Sequence, residues 1–168
     1  MAPALHPDDI HIRTTLQPGD VGYVTYLHGS LYSQEYKYGV TFEAYVAEGL
    51  VEFCKQYETA KDRVWICEHN KQIVGFLLLM HRGDAAQLRY FILHPDYRGI
   101  GLGKKLMQLY MAFLREAGYK SSYLWTTSEL PAAASLYKKF GFVLVEEKPA
   151  TMPFGKPVIE HKYELKSG

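Results

Sequence analysis

Three glycines at alternate positions form the most informative chemical feature of the chain. Gly99, Gly101 and Gly103 lie between a predicted strand and a predicted helix, and Lys104 and Lys105 follow in the first turn of that helix. Glycine lets the backbone approach a ligand closely, and the unpaired N–H groups at a helix start favour an anion. Two lysines at this end oppose the helix dipole, and bound phosphate would offset that repulsion. The segment therefore predicts a phosphate-binding turn.

The two common phosphate motifs do not match this turn. A dinucleotide-binding fingerprint that starts at Gly99 needs glycine at its sixth position, where the chain has Lys104. A Walker A loop that ends at Gly103 needs glycine where Arg98 stands, and serine or threonine where Lys105 stands. Taken alone, the segment also fits a purely structural strand-to-helix turn.

The composition indicates one folded domain. The chain has 168 residues, of which 48% are hydrophobic and 22% charged, enough apolar material for a core. Its 19 basic and 18 acidic side chains leave a net charge of +1, so we expect no dedicated nucleic-acid binding, which needs clustered positive charge. The 14 tyrosines indicate surfaces that are partly apolar and partly polar.

The cysteine content and the N-terminus bear on compartment and metals. Cys54 and Cys67 are too few for a disulfide framework, and no group of His, Cys, Asp and Glu has metal-ligand spacing. The N-terminus lacks the pattern of a secretory leader, and the longest apolar run, Ile73–Met80, is too short to span a bilayer. We therefore expect a cytoplasmic protein with no metal and no membrane association.

Hydrophobic periodicity predicts a single α/β (α+β) domain over residues 9–166, after a flexible N-terminal segment over residues 1–8. Asp20 and Thr41 are typical N-caps for the first two helices. The predicted elements, in chain order, are a strand over 9–16, a helix over 20–35, a helix over 41–57, a hairpin of 64–68 and 73–81, a strand over 87–93, a helix over 102–117, a strand over 122–127, a helix over 131–140, and strands over 142–146 and 158–165.

Two segments resemble known motifs. Tyr90–Gly103, which reads YFILHPDYRGIGLG, resembles motif A of the GCN5-related N-acetyltransferases (GNAT), with its R/Q-x-x-G-x-G/A pattern. Ala134–Phe142, which reads ASLYKKFGF, resembles motif B of the same family. The two motifs occur in the family order, and the resemblance extends from Ile10 to Leu165.

A narrower resemblance concerns the first half of the chain. His28–Tyr36, together with Phe42, Glu43 and Leu124–Thr126, is similar to the acetyltransferase half of bacterial proteins that fuse a MarR-type regulator to a GNAT domain. This sequence contains no segment that resembles the regulator, so DNA binding does not carry over.

The family resemblance implies a fold and a cofactor. The fold is a single GNAT-like domain, with a central mixed, mostly antiparallel twisted sheet of about seven strands that contains a splayed parallel pair and is flanked by about four helices. Acetyl-CoA would lie where the strands over 87–93 and 122–127 splay apart, and an N–H group near Leu93 would polarise the thioester carbonyl. The resemblance places the cofactor on Phe91, Ile92, Leu93, Arg98, Gly99, Ile100, Gly101, Leu102, Gly103 and Lys104.

The resemblance also implies catalytic roles. Tyr137 matches the family tyrosine that hydrogen-bonds or protonates the departing sulfur, although a packing tyrosine is the alternative. Several family members place a glutamate base where this chain has Gln87, which cannot accept a proton at neutral pH. His28 has a suitable side chain for a base, with Glu35 and Tyr32 on the same helix face; a packed or surface histidine is its alternative.

The acceptor side is expected to include Tyr32, Tyr36, Trp125 and Gln87. Met152–Pro157, which contains two prolines and a glycine, reads either as a mobile loop beside the acceptor site or as an ordinary connection. Tyr45 lies on an apolar helix face, so we expect it to serve in packing.

These features predict an enzyme that transfers the acetyl group of acetyl-CoA directly to a primary amine of a small molecule or peptide. The absence of the usual glutamate keeps a non-catalytic acyl-CoA-binding or sensing module as the alternative. A protein-interaction domain that uses exposed tyrosines is a third hypothesis. Since dimers are frequent in the family, the resemblance also suggests a homodimer.

Overall fold

The computed structural model describes residues 4–166, which form one seven-stranded sheet with helices on both faces. This confirms the predicted sheet size, the number of α-helices and the single parallel strand pair. The four helices are α1 (Asp20–Tyr36), α2 (Val40–Gln56), α3 (Leu102–Glu116) and α4 (Pro131–Lys139). The strands are β1 (His11–Arg13), β2 (Arg63–His69), β3 (Gln72–Arg82), β4 (Ala85–Leu93), β5 (Ser121–Thr127), β6 (Val143–Glu147) and β7 (Glu160–Lys166).

The strand order is β1-β2-β3-β4-β5-β7-β6, and every neighbouring pair is antiparallel except β4 and β5. These two parallel strands pair at only two positions, Ala86 with Ser122 and Gln87 with Tyr123. Beyond those positions the strands diverge and open a gap in the middle of the sheet. The predicted splay is therefore present.

A β-bulge in β4 accompanies this divergence. Phe76 of β3 pairs with Ile92 and Leu78 pairs with Arg89, so one β3 residue faces both Tyr90 and Phe91. Tyr90 has a φ of +60°, a left-handed conformation that non-glycine residues rarely adopt. A bulge bends its strand and increases the local twist, which directs the second half of β4 away from β5.

Two apolar cores lie on opposite faces of the sheet, and strand alternation assigns side chains to each. In β3, Phe76 and Leu78 pack with α1 and α2, while Leu77 packs with α3 on the other face. This two-sided burial explains why β3 reads as a continuous apolar run rather than as an alternating strand. The helices are thereby held on both faces of the sheet.

Some predicted boundaries differ from the structure. Asp20 is the first residue of α1, which Gly19 precedes as the N-cap, and its carboxylate accepts from both terminal nitrogens of Arg13 and from the Gln17 N–H, all at 2.7 Å. Gly39, not Thr41, precedes α2. The first strand covers only His11–Arg13 of the predicted 9–16. Before β7, Val158 forms a separate bridge with Thr151, so the last strand starts later than predicted.

The N-terminal residues pack beside the glycine-rich turn. Leu5 lies against the α3 core, and Asp8 accepts from Lys105 at 3.4 Å. Pro7 lies 3.5 Å from the ideal Cβ position of Gly101. Residues 1–3 of the predicted flexible segment lie outside the described part of the chain, and the boundary at residue 9 stays a prediction.

Within residues 4–166, no helix combines the length and apolarity needed to cross a membrane.

Tyr90 also constrains α2. An ideal Cβ on Gly49 would lie 1.5 Å from the Tyr90 hydroxyl oxygen, so the two positions accommodate each other only when residue 49 is glycine. We expect Gly49→Ala to destabilise the fold by about 1–3 kcal/mol, because it would displace the half-buried Tyr90 ring, whose hydroxyl is buried. Thermal and urea unfolding measure this loss.

Gly22→Ala in α1 is the control for that substitution. Nothing lies within 4 Å of its ideal Cβ position. This change should be neutral or stabilising by up to about 1 kcal/mol, since alanine loses less backbone entropy on folding. Equal stability of the two variants would contradict the predicted contact at Gly49.

Candidate active site

A cavity of about 540 Å³ occupies the gap between the diverging strands. One end reaches the turn between β4 and α3, and the other extends beneath α1 and α2. Its size lies within the ordinary range of ligand pockets. The divergence of β4 and β5 thus creates one continuous space that connects the two faces of the sheet.

The glycine-rich turn has the geometry of an anion site. Gly99 and Gly101 have φ values of +77° and +90°, and Gly101 caps α3 without any side-chain hydrogen bond to the first helical N–H groups. A Cβ on Gly103 would lie 3.3 Å from Leu136 and 3.5 Å from Phe91, so glycine keeps this wall open. The first N–H groups of α3 are therefore available to an anion.

The predicted cofactor residues divide into two groups. Eight of the ten line the cavity: Phe91, Ile92, Leu93, Arg98, Gly99, Gly101, Gly103 and Lys104. The remaining two, Ile100 and Leu102, direct their side chains toward the α3 core instead. These two residues can reach a ligand only through their backbone.

The backbone of Leu93 faces the gap between the strands. The N–H of the next residue, His94, donates to the Val74 carbonyl of β3 at 2.8 Å, and Leu93 itself is paired with Gly75 of β3. In an antiparallel ladder, this pattern turns the N–H and C=O of Leu93 away from β3. The Leu93 N–H therefore points toward β5, where no strand pairs with it.

Arg98 joins the glycine-rich turn to α1. Its terminal nitrogens donate to the two carboxylate oxygens of Glu35 at 2.6 and 3.1 Å, and its Nε donates to the Leu93 carbonyl at 3.1 Å. Glu35 raises the pKa of Arg98 through this hydrogen bond. Because both oxygens of Glu35 are engaged, its carboxylate would act as a free base only after separating from Arg98.

Tyr137 lines the cavity from α4 and is 5% exposed. Its ring packs among Phe91, Phe142 and Tyr163 at centroid distances of 6.1 to 6.3 Å. Burial raises the pKa of its hydroxyl, which therefore stays protonated at neutral pH. The hydroxyl has no hydrogen-bond partner among residues 4–166.

His28 is 2% exposed and lines the other end of the cavity. Its Nδ1 donates to the Val24 carbonyl at 2.8 Å, which leaves Nε2 as a bare acceptor with no partner among the described residues. Burial lowers the pKa of His28 to about 4, so the imidazole is neutral at pH 7. Its ring contacts Tyr90 edge-on at 5.8 Å.

Gln87 is buried in the cavity wall. Its Oε1 accepts from Arg82 Nε at 2.8 Å, and Arg82 is also bonded to Glu52. The Tyr123 hydroxyl approaches the same oxygen at 3.4 Å. These contacts hold the amide in one orientation beside the cavity.

Aromatic rings surround the acceptor end. The predicted residues Tyr32, Tyr36 and Trp125 all line the cavity. Tyr45 packs against Phe154 at a centroid distance of 5.6 Å, as expected, but the residue is 44% exposed and also lines the cavity, a position that the sequence did not predict. Tyr38, Phe42 and Phe154 complete this wall, and sequence reasoning did not assign them to the site. For Phe154 there was one signal in the sequence, its position in the Met152–Pro157 loop, for which a place beside the acceptor site was one of two interpretations.

Comparison with known proteins identifies the family. Residues 29–142, more than half of the chain, match the family model described as the acetyltransferase (GNAT) family. The chain therefore belongs to the GNAT acetyltransferase family. The narrower resemblance to MarR fusions stays a prediction.

Curated relatives of this GNAT domain match over part of their length. The uncharacterized N-acetyltransferase YjgM of Escherichia coli is 34% identical over 97 residues, which cover 55% of this chain and 58% of the relative. The [ribosomal protein bS18]-alanine N-acetyltransferase of Haemophilus influenzae is 36% identical over 73 residues, which cover 44% of this chain and 49% of the relative. The chain spans about half the length of these relatives.

Solved structures show the same fold over nearly the whole GNAT domain. An acetyltransferase from Streptococcus agalactiae is similar with a TM-score of 0.74 at 20% identity, covering 95% of this chain and 99% of that one. A GNAT family acetyltransferase from Elizabethkingia anophelis with acetyl-CoA bound has a TM-score of 0.68 at 13% identity, with coverage of 95% and 99%. Among residues 4–166 of this GNAT domain, His, Cys, Asp and Glu side chains nowhere form a group of three that would hold a metal ion.

The lowered pKa of His28 predicts a pH dependence of stability. The unfolded imidazole titrates near its ordinary pKa of 6.5, whereas the folded one titrates at about 4. Between these values the unfolded chain binds a proton that the folded chain does not, so stability is full above pH 6.5 and falls as the pH falls toward 4. Between pH 7.5 and pH 5 the loss is roughly 2 kcal/mol.

Urea unfolding of the wild type and His28→Gln at these two pH values measures the loss. The variant should lack this part of the pH dependence. His11→Gln, which removes an exposed histidine, controls for the loss of one imidazole. An unchanged pH dependence in His28→Gln would contradict a neutral buried imidazole at this position.

Proposed function

We propose that this GNAT domain transfers the acetyl group of acetyl-CoA directly to a primary amine of a small molecule or peptide. The observation that carries the proposal is the continuity of the cavity, which joins the glycine-rich turn, Leu93 and Tyr137 in one space with the aromatic end beneath α1 and α2. A donor that lies across the splayed strands and an amine that enters from the aromatic end would therefore meet inside the sheet.

The residues of the turn fit acetyl-CoA. The open N–H groups at the start of α3 and the side chains of Arg98 and Lys104 would hold the pyrophosphate. The backbone from Phe91 to Leu93 would pair with the pantetheine arm in place of a neighbouring strand. Bound acetyl-CoA supplies a thioester, whose carbonyl carbon forms a bond to the amine nitrogen while the bond to sulfur breaks.

The chain supplies two hydrogen-bond donors for that exchange. The N–H of Leu93 would stabilise negative charge on the carbonyl oxygen. The Tyr137 hydroxyl, which its raised pKa keeps protonated, would donate its proton to the departing sulfur. The proton that the amine nitrogen loses as the amide bond forms would return to the Tyr137 oxygen through solvent, so that the enzyme ends the cycle with the same protons. In this proposal Tyr137 is the general acid.

His28 and Glu35 would act on the amine side. The neutral Nε2 of His28 would accept a hydrogen bond from the amine and orient its lone pair, because a base with a pKa of about 4 holds a proton only weakly. Glu35 would act chiefly by fixing Arg98 beside the turn. Gln87, held by Arg82, would orient a water or the amine where family members place a glutamate.

The comparisons support an amine acceptor. The relative named [ribosomal protein bS18]-alanine N-acetyltransferase shares 36% identity over the matched segment. The cytoplasmic location stays a prediction.

Two measurements test the proposed function. Acetyl-CoA at hundredfold excess over its dissociation constant should stabilise the chain by about 2.7 kcal/mol in thermal unfolding. Thiol release from acetyl-CoA, followed across amino acids, polyamines, aminoglycosides and peptides, should show turnover with at least one amine. Cofactor stabilisation without turnover across the panel would favour the non-catalytic alternative, and an absence of stabilisation would favour the protein-interaction hypothesis.

Tyr137→Phe should lower kcat by about 100-fold or more with saturating acetyl-CoA and amine, since general acids typically contribute that much. Stability should change little because the ring remains packed. Tyr26→Phe, on an exposed face of α1, is the control and should keep wild-type turnover. Full activity of Tyr137→Phe would remove this tyrosine from the acid role.

The homodimer also stays a prediction. β6 lies at the edge of the sheet, and Val143, Leu144 and Val145 are all exposed there. If a second copy covers this strand, Leu144→Glu should shift the mass measured by light scattering from dimer to monomer. A monomeric wild type at high concentration would contradict the prediction.

A further inference from the structure

The acceptor end of the cavity is a wall of interlocked rings. Tyr32 stacks on Phe42 at a centroid distance of 4.5 Å and an angle of 18°. Phe42 and Tyr38 each contact Phe154 at 5.0 and 5.2 Å, and Tyr36 packs on Tyr32 at 5.2 Å. Such a surface favours a flat or bulky apolar body, because burial of apolar area and ring stacking both stabilise it.

The carboxylates at this cavity are already paired with basic groups. Glu35 is held by Arg98 through two hydrogen bonds, and Glu160 lies 3.9 Å from Lys148. A polyamine carries several charges and needs several unpaired carboxylates. The wall is therefore poorly suited to a polycation, although aromatic faces would still accept a single ammonium.

Arg89 is a basic side chain at the aromatic end of the cavity. The β4 bulge places it beside Tyr90, with its guanidinium 4.6 Å above the Tyr90 ring and 5.5 Å from the Tyr45 ring. Its Nη2 donates to the Tyr45 hydroxyl at 3.1 Å. No carboxylate among residues 4–166 pairs with it, and the carboxylate of nearby Glu52 is bonded to Arg82 instead.

The position of Arg89 separates it from the phosphate-binding end. Arg98 and Lys104 lie at the turn before α3, after the end of β4, whereas Arg89 precedes the bulge on the α2 side. A guanidinium without an acidic partner, at the edge of an aromatic wall, matches a carboxylate in charge and in its paired hydrogen-bond geometry.

From these contacts we infer that the acceptor is an amine whose aromatic or bulky apolar body packs in the ring wall and whose carboxylate binds Arg89. The chemical class is a free α-amino acid with a large apolar side chain. His28 Nε2, buried and unpartnered at the same cavity, would accept a hydrogen bond from its amine. This inference rests on the proposed acetyl transfer and narrows its acceptor.

Four amines separate the features of that class in a thiol-release assay with saturating acetyl-CoA. L-Phenylalanine has the ring and the carboxylate, L-phenylalaninamide lacks the carboxylate and mimics a peptide N-terminus, glycine lacks the ring, and spermidine is a polycation. We expect kcat/KM for phenylalanine to exceed each of the others by about tenfold or more. The α-ammonium group of phenylalaninamide loses its proton more readily than that of phenylalanine, so more of the amide is in the reactive neutral form. A preference for phenylalanine would therefore have to overcome this chemical advantage of the amide.

Arg89→Gln should lower kcat/KM for phenylalanine by about 10- to 100-fold and leave the value for phenylalaninamide within about twofold, since only the former has the partner carboxylate. Arg63→Gln is the matched control, because that guanidinium lies 4.2 Å above Phe113 on the opposite face of the sheet. Thermal unfolding with and without acetyl-CoA checks that both variants fold and bind the donor.

The outcomes distinguish this inference from the proposed function. Equal or better turnover of phenylalaninamide, glycine or spermidine by the wild type would overturn the acceptor class but keep acetyl transfer. A parallel loss for phenylalanine and its amide in Arg89→Gln would overturn the carboxylate contact. Failure of every amine in the broad panel, with acetyl-CoA bound, would instead overturn the proposed function.

Discussion

The site depends on the short pairing between the two parallel strands in the middle of the sheet. β4 and β5 share only two residue pairs before the bulge at Tyr90 turns β4 away. A longer ladder would satisfy the Leu93 N–H with a β5 carbonyl and close the cavity. The left-handed φ of Tyr90 is an unfavourable conformation, and the packing of that ring against α2 at Gly49 helps to hold it. The bulge at this one residue thus accompanies an opening that runs through the sheet.

Burial keeps Tyr137 and His28 uncharged. It raises the pKa of Tyr137 and lowers that of His28, so these two side chains offer the cavity a hydroxyl donor and a nitrogen acceptor with no net charge between them. Such a pair suits the reaction of a neutral amine with a neutral thioester. Charged groups lie at the edges, where Arg98 joins Glu35 beside the glycine-rich turn, and where Arg89 meets Tyr45.

The two ends of the cavity are built differently. The end at the glycine-rich turn comes from one continuous segment, in which the dihedral angles of Gly99 and Gly101 shape the turn before α3. The aromatic end is assembled from α1, α2, β4, β5 and the loop that carries Phe154. The backbone N–H groups of the turn are therefore arranged by local sequence, whereas the aromatic wall depends on packing between distant segments.

The sequence by itself determined the order and type of the elements and the glycine-rich turn. These features rest on apolar periodicity and on glycine dihedrals, which act over about ten neighbouring residues. The expectation that Tyr137 and His28 lie near the site came instead from the resemblance to the family motifs. Only the tertiary structure decided that Tyr45 lines the cavity, that Glu35 is bonded to Arg98, and that Arg89 has no acidic partner within residues 4–166. It also decided that His28 is neutral, because a pKa follows from burial. Burial and pairing arise from contacts between residues far apart in the chain, and no local pattern encodes them.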